Sequence, residues 1–153
     1  MRAVVSRVAW ARVVVRENDS DEVTGEIGPG LLVLVGVGRD DGPEEAAWLA
    51  DKVAGLRVFE DEQGTPNRSL VEAGGGALVV SQFTLYGDAR RGRRPSYIAA
   101  ARPERAAPLV DAVADALADA GLTVARGRFG AVMRVESAGD GPFTILLDSA
   151  KGF

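Results

Sequence analysis

The chain has 153 residues and a mass of 16.0 kDa, with no histidine, no cysteine and a formal net charge of −4 (isoelectric point near 4.9). Zero cysteine excludes disulfides, thiolate metal sites and thiol nucleophiles; zero histidine excludes a Ser-His-Asp triad and imidazole ligands. Hydrophobic residues at 46% and charged residues at 26% fit one globular domain over 1–153, and the acidic balance disfavours bulk nucleic-acid binding but allows a local basic patch.

The stretch Met1–Val15 is partly apolar, but Arg2, Arg7 and Arg12 interrupt it, so it does not read as a secretory leader. No run approaches the ~18 apolar residues of a membrane span. A soluble cytoplasmic protein is expected. The excess of arginine over lysine reads as genomic base composition.

Val4–Val15 is Val-rich and predicts one long strand or two short ones. Glu17–Glu22 is a polar turn, and Val23–Ile27 returns as a partner strand. Gly28-Pro29-Gly30 breaks the chain. Leu31–Val37 is continuously apolar, which predicts a strand buried on both faces. Asp41 or Gly42, Pro43, Glu44 and Glu45 form a helix start, and Ala46, Leu49, Val53 and Leu56 follow at helical spacing. Leu56–Phe59 suits a short strand and Glu60–Pro66 a turn.

Gly74-Gly75-Gly76 reads as a turn, since it lacks both a phosphate-loop lysine and the dinucleotide fingerprint. Ala77–Leu85 is the next predicted strand. Tyr86–Arg94 is a charged loop, and Pro95-Ser96-Tyr97 opens a short helical segment. Pro103–Ala120 is the longest predicted helix, with Ala107, Val110, Val113, Leu117 and Ala120 on one face and Gly121 stopping it. Leu122–Arg126, Val132–Ser137 and Phe143–Leu147 predict three closing strands. The whole is an α+β domain with a mixed or barrel-like sheet and two main helices.

Four places bear on chemistry. If Ala77–Leu85 is extended, Leu78, Val80, Gln82 and Thr84 share one face that ends in an amide and a hydroxyl. That end either carries function or satisfies backbone groups at a sheet edge. Arg90, Arg91, Arg93 and Arg94 put four guanidiniums in five residues. They suit phosphate, or a solvated loop facing Asp88. Gly141-Pro142 is either a plain hairpin turn or a cis peptide. The acidic clusters near residues 40, 44 and 60 lie in turns and at a helix start, without calcium-loop spacing, and predict no metal.

Ser81-Gln82-Phe83-Thr84-Leu85-Tyr86-Gly87-Asp88, followed by Arg91-Gly92-Arg93-Arg94-Pro95-Ser96-Tyr97, resembles the D-aminoacyl-tRNA deacylases, also called D-tyrosyl-tRNA deacylases. Gly139-Asp140-Gly141-Pro142-Phe143-Thr144 resembles their second motif. Ser6-Arg7-Val8, Val23–Leu31 and Gly127-Arg128-Phe129-Gly130 match in order and spacing, so the likeness spans essentially the whole chain. Two features depart from the pattern. Gly139 stands where the family usually has Asn, and the Glu17–Glu22 turn is a few residues longer.

The resemblance implies a homodimer that hydrolyses the ester between a D-amino acid and the terminal adenosine of tRNA, and glycyl-tRNA too, including glycine on tRNA-Ala. It implies no cofactor, no metal, no DNA and no membrane. It implies catalytic roles for Ser81, Gln82, Phe83 and Thr84, with backbone N–H groups as oxyanion donors. The substrate 2′-hydroxyl is expected to help activate water. Thr84 is either a nucleophile or a positioning residue, and positioning is the expectation because no side chain in the sequence is an obvious base for it. Gly141-Pro142 is expected to be cis and to reject L-esters from across the dimer, with Arg7 pinning that loop. Arg90, Arg91, Arg93 and Arg94 are expected to meet tRNA phosphates. Two alternatives are an editing deacylase for other mischarged tRNAs and a non-catalytic tRNA-binding module.

Overall fold

The computed structural model describes residues 1–153. Its organising element is β1 (Arg2–Glu17), one long strand that serves two layers. Residues 2–8 pair with β3 (Gly30–Gly36), and residues 11–17 pair with β2 (Ser20–Ile27), both antiparallel. The opposite edge of β1 pairs with β8 (Met133–Asp148) along nearly its whole length.

The side-chain alternation of β1 switches midway. Ala3 and Val5 enter a core against the helices, whereas Val8, Ala11, Val13 and Val15 enter a second core inside the sheet. The switch coincides with a register shift against β8 between Val8 and Trp10, where an extra residue flips which face is buried.

β3, β6 (Gly76–Ser81) and β7 (Thr123–Arg126) run parallel. Parallel neighbours need crossovers. The first carries α1 (Pro43–Gly55), the short hairpin of β4 (Phe59–Glu60) and β5 (Pro66–Arg68), and α2 (Leu70–Ala73). The second carries α3 (Pro103–Asp119). The sheet order is β2-β1-β3-β6-β7 with β8 on β1, and it curls until β2 meets β7. At that seam Gly25 is required, because a Cβ there would lie 2.4 Å from the Arg126 carbonyl oxygen. The result is the mixed, nearly closed α+β sheet with two main helices expected from the sequence.

β3 is buried on both faces, with Leu31, Val33 and Val35 toward the helices and Leu32 toward the inner core. α1 starts at the N-cap Gly42, whose N–H donates to Glu45 Oε2 at 2.8 Å, and buries Ala46, Leu49 and Val53 as predicted. The buried face of α3 is Ala106, Leu109, Val110, Val113, Ala114 and Leu117. Ala120 is exposed, because the helix has already ended. No helix is long and apolar enough to cross a membrane.

Several details differ from the sequence reading. Glu17–Glu22, expected as a turn, is strand except for Asn18-Asp19, because β1 and β2 pair down to Glu17 and Ser20. The strand expected over Leu56–Phe59 is only Phe59–Glu60, since Leu56 caps α1, and Ala106 rather than Ala107 faces the core. The strand predicted over Ala77–Leu85 ends at Ser81, and Phe83–Tyr86 is a 3-10 turn. Pro95-Ser96-Tyr97 is not helical; Ser96 pairs with Asp88 in an isolated bridge. Residues 139–142 do not join two strands as a hairpin turn, because β8 resumes on the same neighbour, β1, after an outward loop. Pro66, expected to end a turn, begins β5, and α2 follows at Leu70–Ala73, a stretch for which the sequence suggests no element.

Candidate active site

β6 ends where its partner strand runs out. The Gln82 N–H takes the Val35 carbonyl at 2.7 Å, and β3 itself stops at Gly36. The chain then winds into the 3-10 turn, closed by Leu85 N–H to Gln82 C=O at 3.2 Å and Gly87 N–H to Thr84 C=O at 2.9 Å. The amides of Phe83 and Thr84 open the turn and have no acceptor within it. Gln82 and Thr84 do not share a strand face. The turn nonetheless brings them together, and Gln82 Nε2 donates to Thr84 Oγ1. That partner is an amide and cannot accept the hydroxyl proton. Phe83 is 58% exposed and meets Tyr97 edge-on, with ring centroids 5.1 Å apart.

The far end of the turn is clamped. Tyr86 O–H donates to Asp41 Oδ2 at 3.1 Å, and Arg2 Nη1 donates to the Leu85 carbonyl at 3.1 Å while its guanidinium lies 4.6 Å over the Tyr86 ring. Asp41 also accepts the Gly38 N–H at 2.6 Å and the α-amino group of Met1 at 2.6 Å. Burial opposes ionisation of Asp41, but these donors together outweigh it and hold the carboxyl below its ordinary value. Burial, then the Asp41 charge, pushes the Tyr86 phenol upward, so it stays a protonated donor. Asp41 was expected as a possible helix cap; Gly42 holds that position and Asp41 turns inward.

A groove of about 660 Å³ opens beside this turn. Val35, Val80, Ala106, Val110, Phe129 and Met133 make its apolar lining, and Ser81, Gln82 and Arg102 are its main polar groups. It lies at the carboxyl ends of the parallel strands β3 and β6, the usual place for a ligand crevice in parallel sheets. No group of three or more carboxylates stands together in a metal-holding arrangement.

Gly141-Pro142 is a cis peptide on the outer strand. Thr144 pairs with Ser6 and Gly139 with Val8, so residues 140–143 stand opposite Arg7 alone and loop outward. Gly141 has φ +133°, and a Cβ there would lie 2.7 Å from the Phe143 amide nitrogen. Arg7 is only 7% exposed. Its Nε donates to the Asp140 carbonyl at 3.2 Å, its Nη1 donates to the Val58 carbonyl at 2.6 Å, and its guanidinium lies 5.1 Å from the Phe143 ring centroid.

Within one chain this loop and the Gln82–Thr84 turn stay apart. Ser81 is level with Val35, and Arg7 is level with Leu31 four residues further along β3. That offset is roughly 13 Å, and three strand spacings from β6 to β8 add roughly 14 Å sideways. The two features are therefore on the order of 20 Å apart along the sheet.

The arginine loop is not uniform. Arg90 is held by Asp88 through Nε to Oδ1 at 2.9 Å and Nη2 to Oδ2 at 2.6 Å, and this pairing, above all else, pulls the Asp88 carboxyl well down. Arg91, Arg93 and Arg94 are exposed and outside the ion pairs of the chain.

The sequence reading missed the Arg2–Asp41–Tyr86 clamp and the wall contributed by Phe129 and Met133. Phe129 lay inside the Gly127–Gly130 match, which was the available signal for that wall.

The sequence pattern of D-Tyr-tRNA(Tyr) deacylase matches residues 4–148. A D-aminoacyl-tRNA deacylase of Roseiflexus sp. strain RS-1 is 61% identical over 98% of this chain and 94% of its own length. That of Symbiobacterium thermophilum is 58% identical over 100% of this chain and 99% of its own length. Among solved structures, the c-Myc DNA Unwinding Element Binding Protein superposes with a TM-score of 0.88 at 36% identity, covering 97% of this chain and 99% of that one. A probable eukaryotic D-amino acid tRNA deacylase superposes with a TM-score of 0.82 at 19% identity, covering 95% and 97%, which is a likeness of fold. The chain belongs to the D-aminoacyl-tRNA deacylase family, and its activity is hydrolysis of the carboxylic ester that joins a D-amino acid to tRNA.

Proposed function

We propose that the protein works as a homodimer, each site built from the Ser81–Thr84 segment of one subunit and the Gly141-Pro142 loop of the other. The observation that carries this reading is the separation just described. Phe83, Thr84, Gly141 and Pro142 are exposed, and one chain holds the two features too far apart to touch one substrate atom. Trp10 and Leu146, 41% and 59% exposed on β1 and β8, offer apolar surface for a second copy to cover.

In this reading the terminal adenosine enters the apolar groove and the ester carbonyl lies over the amides of Phe83 and Thr84. These donors stabilise the oxyanion as water attacks; losing one such donor typically costs ~2.7–4 kcal/mol of transition-state stabilisation. The chain offers no imidazole or thiol, and Thr84 is bonded to an amide, so the substrate 2′-hydroxyl orients and activates the water. The backbone wall of Gly141-Pro142 blocks an L side chain by clash and admits a D side chain or glycine. Glycyl-tRNA, including glycine on tRNA-Ala, is then a second substrate. Arg91, Arg93 and Arg94 hold tRNA phosphates, which give affinity without sequence information. The protein acts in the cytoplasm as a proofreader of translation.

The test is paired deacylation of D-tyrosyl-tRNA and L-tyrosyl-tRNA with a metal chelator present. Loss of the D-ester alone supports the reading. Loss of both sinks the filter, and loss of neither with tRNA still bound sinks the hydrolase. Supply from the partner is tested with Gly141→Ala, whose displaced loop should admit L-esters. In mixed dimers with a Gln82→Ala chain first shown to cleave neither ester as a homodimer, the intact site of the Gly141→Ala subunit regains a normal filter, so L-cleavage should fall with the fraction of mixed dimers. L-cleavage that depends only on the amount of the Gly141→Ala chain would place the filter in cis.

A further inference from the structure

We propose that a second depression, next to the groove and lined by Arg39, Arg102 and Arg105, binds the phosphodiesters that precede the terminal adenosine. The inference rests on the reading that the groove receives the aminoacylated end of tRNA.

The depression has a volume of about 500 Å³, and Arg102, with Ala100 and Ala101, lines both it and the groove. A nucleotide tail leaving the groove at Arg102 therefore enters the depression directly. The shape is fixed by backbone bonds. Arg39 N–H donates to the Ala99 carbonyl at 3.1 Å and Ala101 N–H to the Val37 carbonyl at 2.9 Å, which hold Arg39 and Arg102 on one rim. Arg105 is oriented from beneath, because its Nε and Nη2 donate to the Asp41 carbonyl at 3.1 and 2.7 Å.

The charge of this rim is unspent. Half of the arginines in the chain sit in ion pairs, but Arg39, Arg102 and Arg105 are in none. A backbone carbonyl orients Arg105 without cancelling its charge. Glu104 on the same rim and Asp40 beside Arg39 are the opposing charges, leaving three cations against two carboxylates. In a protein with net charge −4, a local cationic rim at the mouth of the groove is where a polyanion gains most. Guanidiniums suit it because they pair bidentately with phosphate. Ile98, 71% exposed in the same depression, gives a base an apolar surface to lie on.

The experiment compares two D-tyrosyl esters, of full tRNA and of adenosine alone, on wild type and on Arg39→Ala/Arg102→Ala. The adenosine ester has no phosphate to lose. The ratio of kcat/KM on the tRNA ester to that on the adenosine ester should fall at least tenfold in the variant. The slope of log kcat/KM against log salt on tRNA should lessen by about 1–2. An unchanged ratio, including an equal loss on both esters, overturns the proposal. Fluorescence anisotropy with uncharged tRNA reads the same arginines without turnover: weaker binding and a shallower salt slope support the proposal, and identical binding overturns it. If wild type cleaves neither D-ester, the deacylase reading fails, and the anisotropy result still decides the arginines.

Discussion

Arg7 is the one β1 residue opposite the four-residue bulge of β8, and its Nε donates to the Asp140 carbonyl at 3.2 Å, one residue before Gly141. The same guanidinium donates to the Val58 carbonyl at 2.6 Å, so one nearly buried cation ties the loop to the segment before the β4–β5 hairpin. An ammonium group has no planar fork to reach both carbonyls at once. Arg7→Lys should therefore lose about 1–3 kcal/mol of stability, the cost of an unsatisfied buried acceptor, read from the denaturant midpoint. Discrimination between D- and L-tyrosyl-tRNA should fall in the same variant. Discrimination at the wild-type level would show that Arg7 stabilises the fold without setting the loop.

Tyr86 should act on turnover without touching substrate. Its hydroxyl fixes the end of the turn that begins with Phe83 and Thr84. Tyr86→Phe removes one hydrogen bond to a carboxylate and little volume, so about 1–3 kcal/mol of stability should go. Looser amides would stabilise the oxyanion less, lowering kcat severalfold while KM changes little. An unaltered kcat with reduced stability would confine Tyr86 to the fold.

Asp41 gives the clamp an acid limit. Its carboxyl is held below the ordinary value in the folded chain, so in acid the unfolded chain takes up the proton first. This contribution to stability is complete above the ordinary carboxyl range and is lost as pH falls below about 4 through the lowered value. Wild type and Asp41→Asn should thus differ most at neutral pH and converge in acid. Urea unfolding of both proteins from about pH 6 down to about pH 3 checks this; a constant difference across that window would deny the linkage.

How much of this was visible in the amino-acid order depends on the range of each interaction. Leu31–Val37 declares itself by being apolar throughout, and α1 by Gly-Pro-Glu-Glu ahead of Ala46, Leu49 and Val53. The end of β6 does not, because Ser81–Leu85 continues the same alternation; what stops the strand is that β3 ends beside it. Gly139–Pro142 has the composition of a turn, yet the chain resumes on the same neighbour, a fact held in β1 more than 130 residues away. Arg2, Asp41 and Tyr86 are similarly hidden by their separation, 45 residues for the last two and 83 between Arg2 and Leu85. The motif residues proposed for the site stand out in the sequence, whereas the clamp and the arginine rim are products of tertiary contact.

Thr84 separates two mechanisms. A nucleophile needs a base within hydrogen-bond reach, and the side-chain partner of Thr84 is the Gln82 amide. Thr84→Ala should therefore slow deacylation by no more than about 10–100-fold, the scale of a positioning contact, where loss of a true nucleophile costs about a millionfold. Rapid-quench analysis with labelled D-tyrosyl-tRNA gives the second readout. A trapped acyl-enzyme on wild type would establish covalent catalysis despite the geometry.

The arginine loop should not act as four equal charges. Asp88 already takes the Nε–Nη2 edge of Arg90 with both carboxylate oxygens, so a phosphate approaching Arg90 meets a nearly neutral pair. Arg91, Arg93 and Arg94 carry uncancelled charge into solvent. Each phosphate contact removed should flatten the salt dependence of tRNA binding by about 0.7–0.9 in log–log slope. Arg93→Ala and Arg94→Ala are expected to show a change of that size, and Arg90→Ala distinctly less. Asp88→Asn frees Arg90 and should steepen the slope, an effect opposite in sign to the alanine variants. Equal slopes for Arg90→Ala and Arg93→Ala would mean that the substrate pulls Arg90 away from Asp88, and that the pair seen in the free protein does not persist on tRNA.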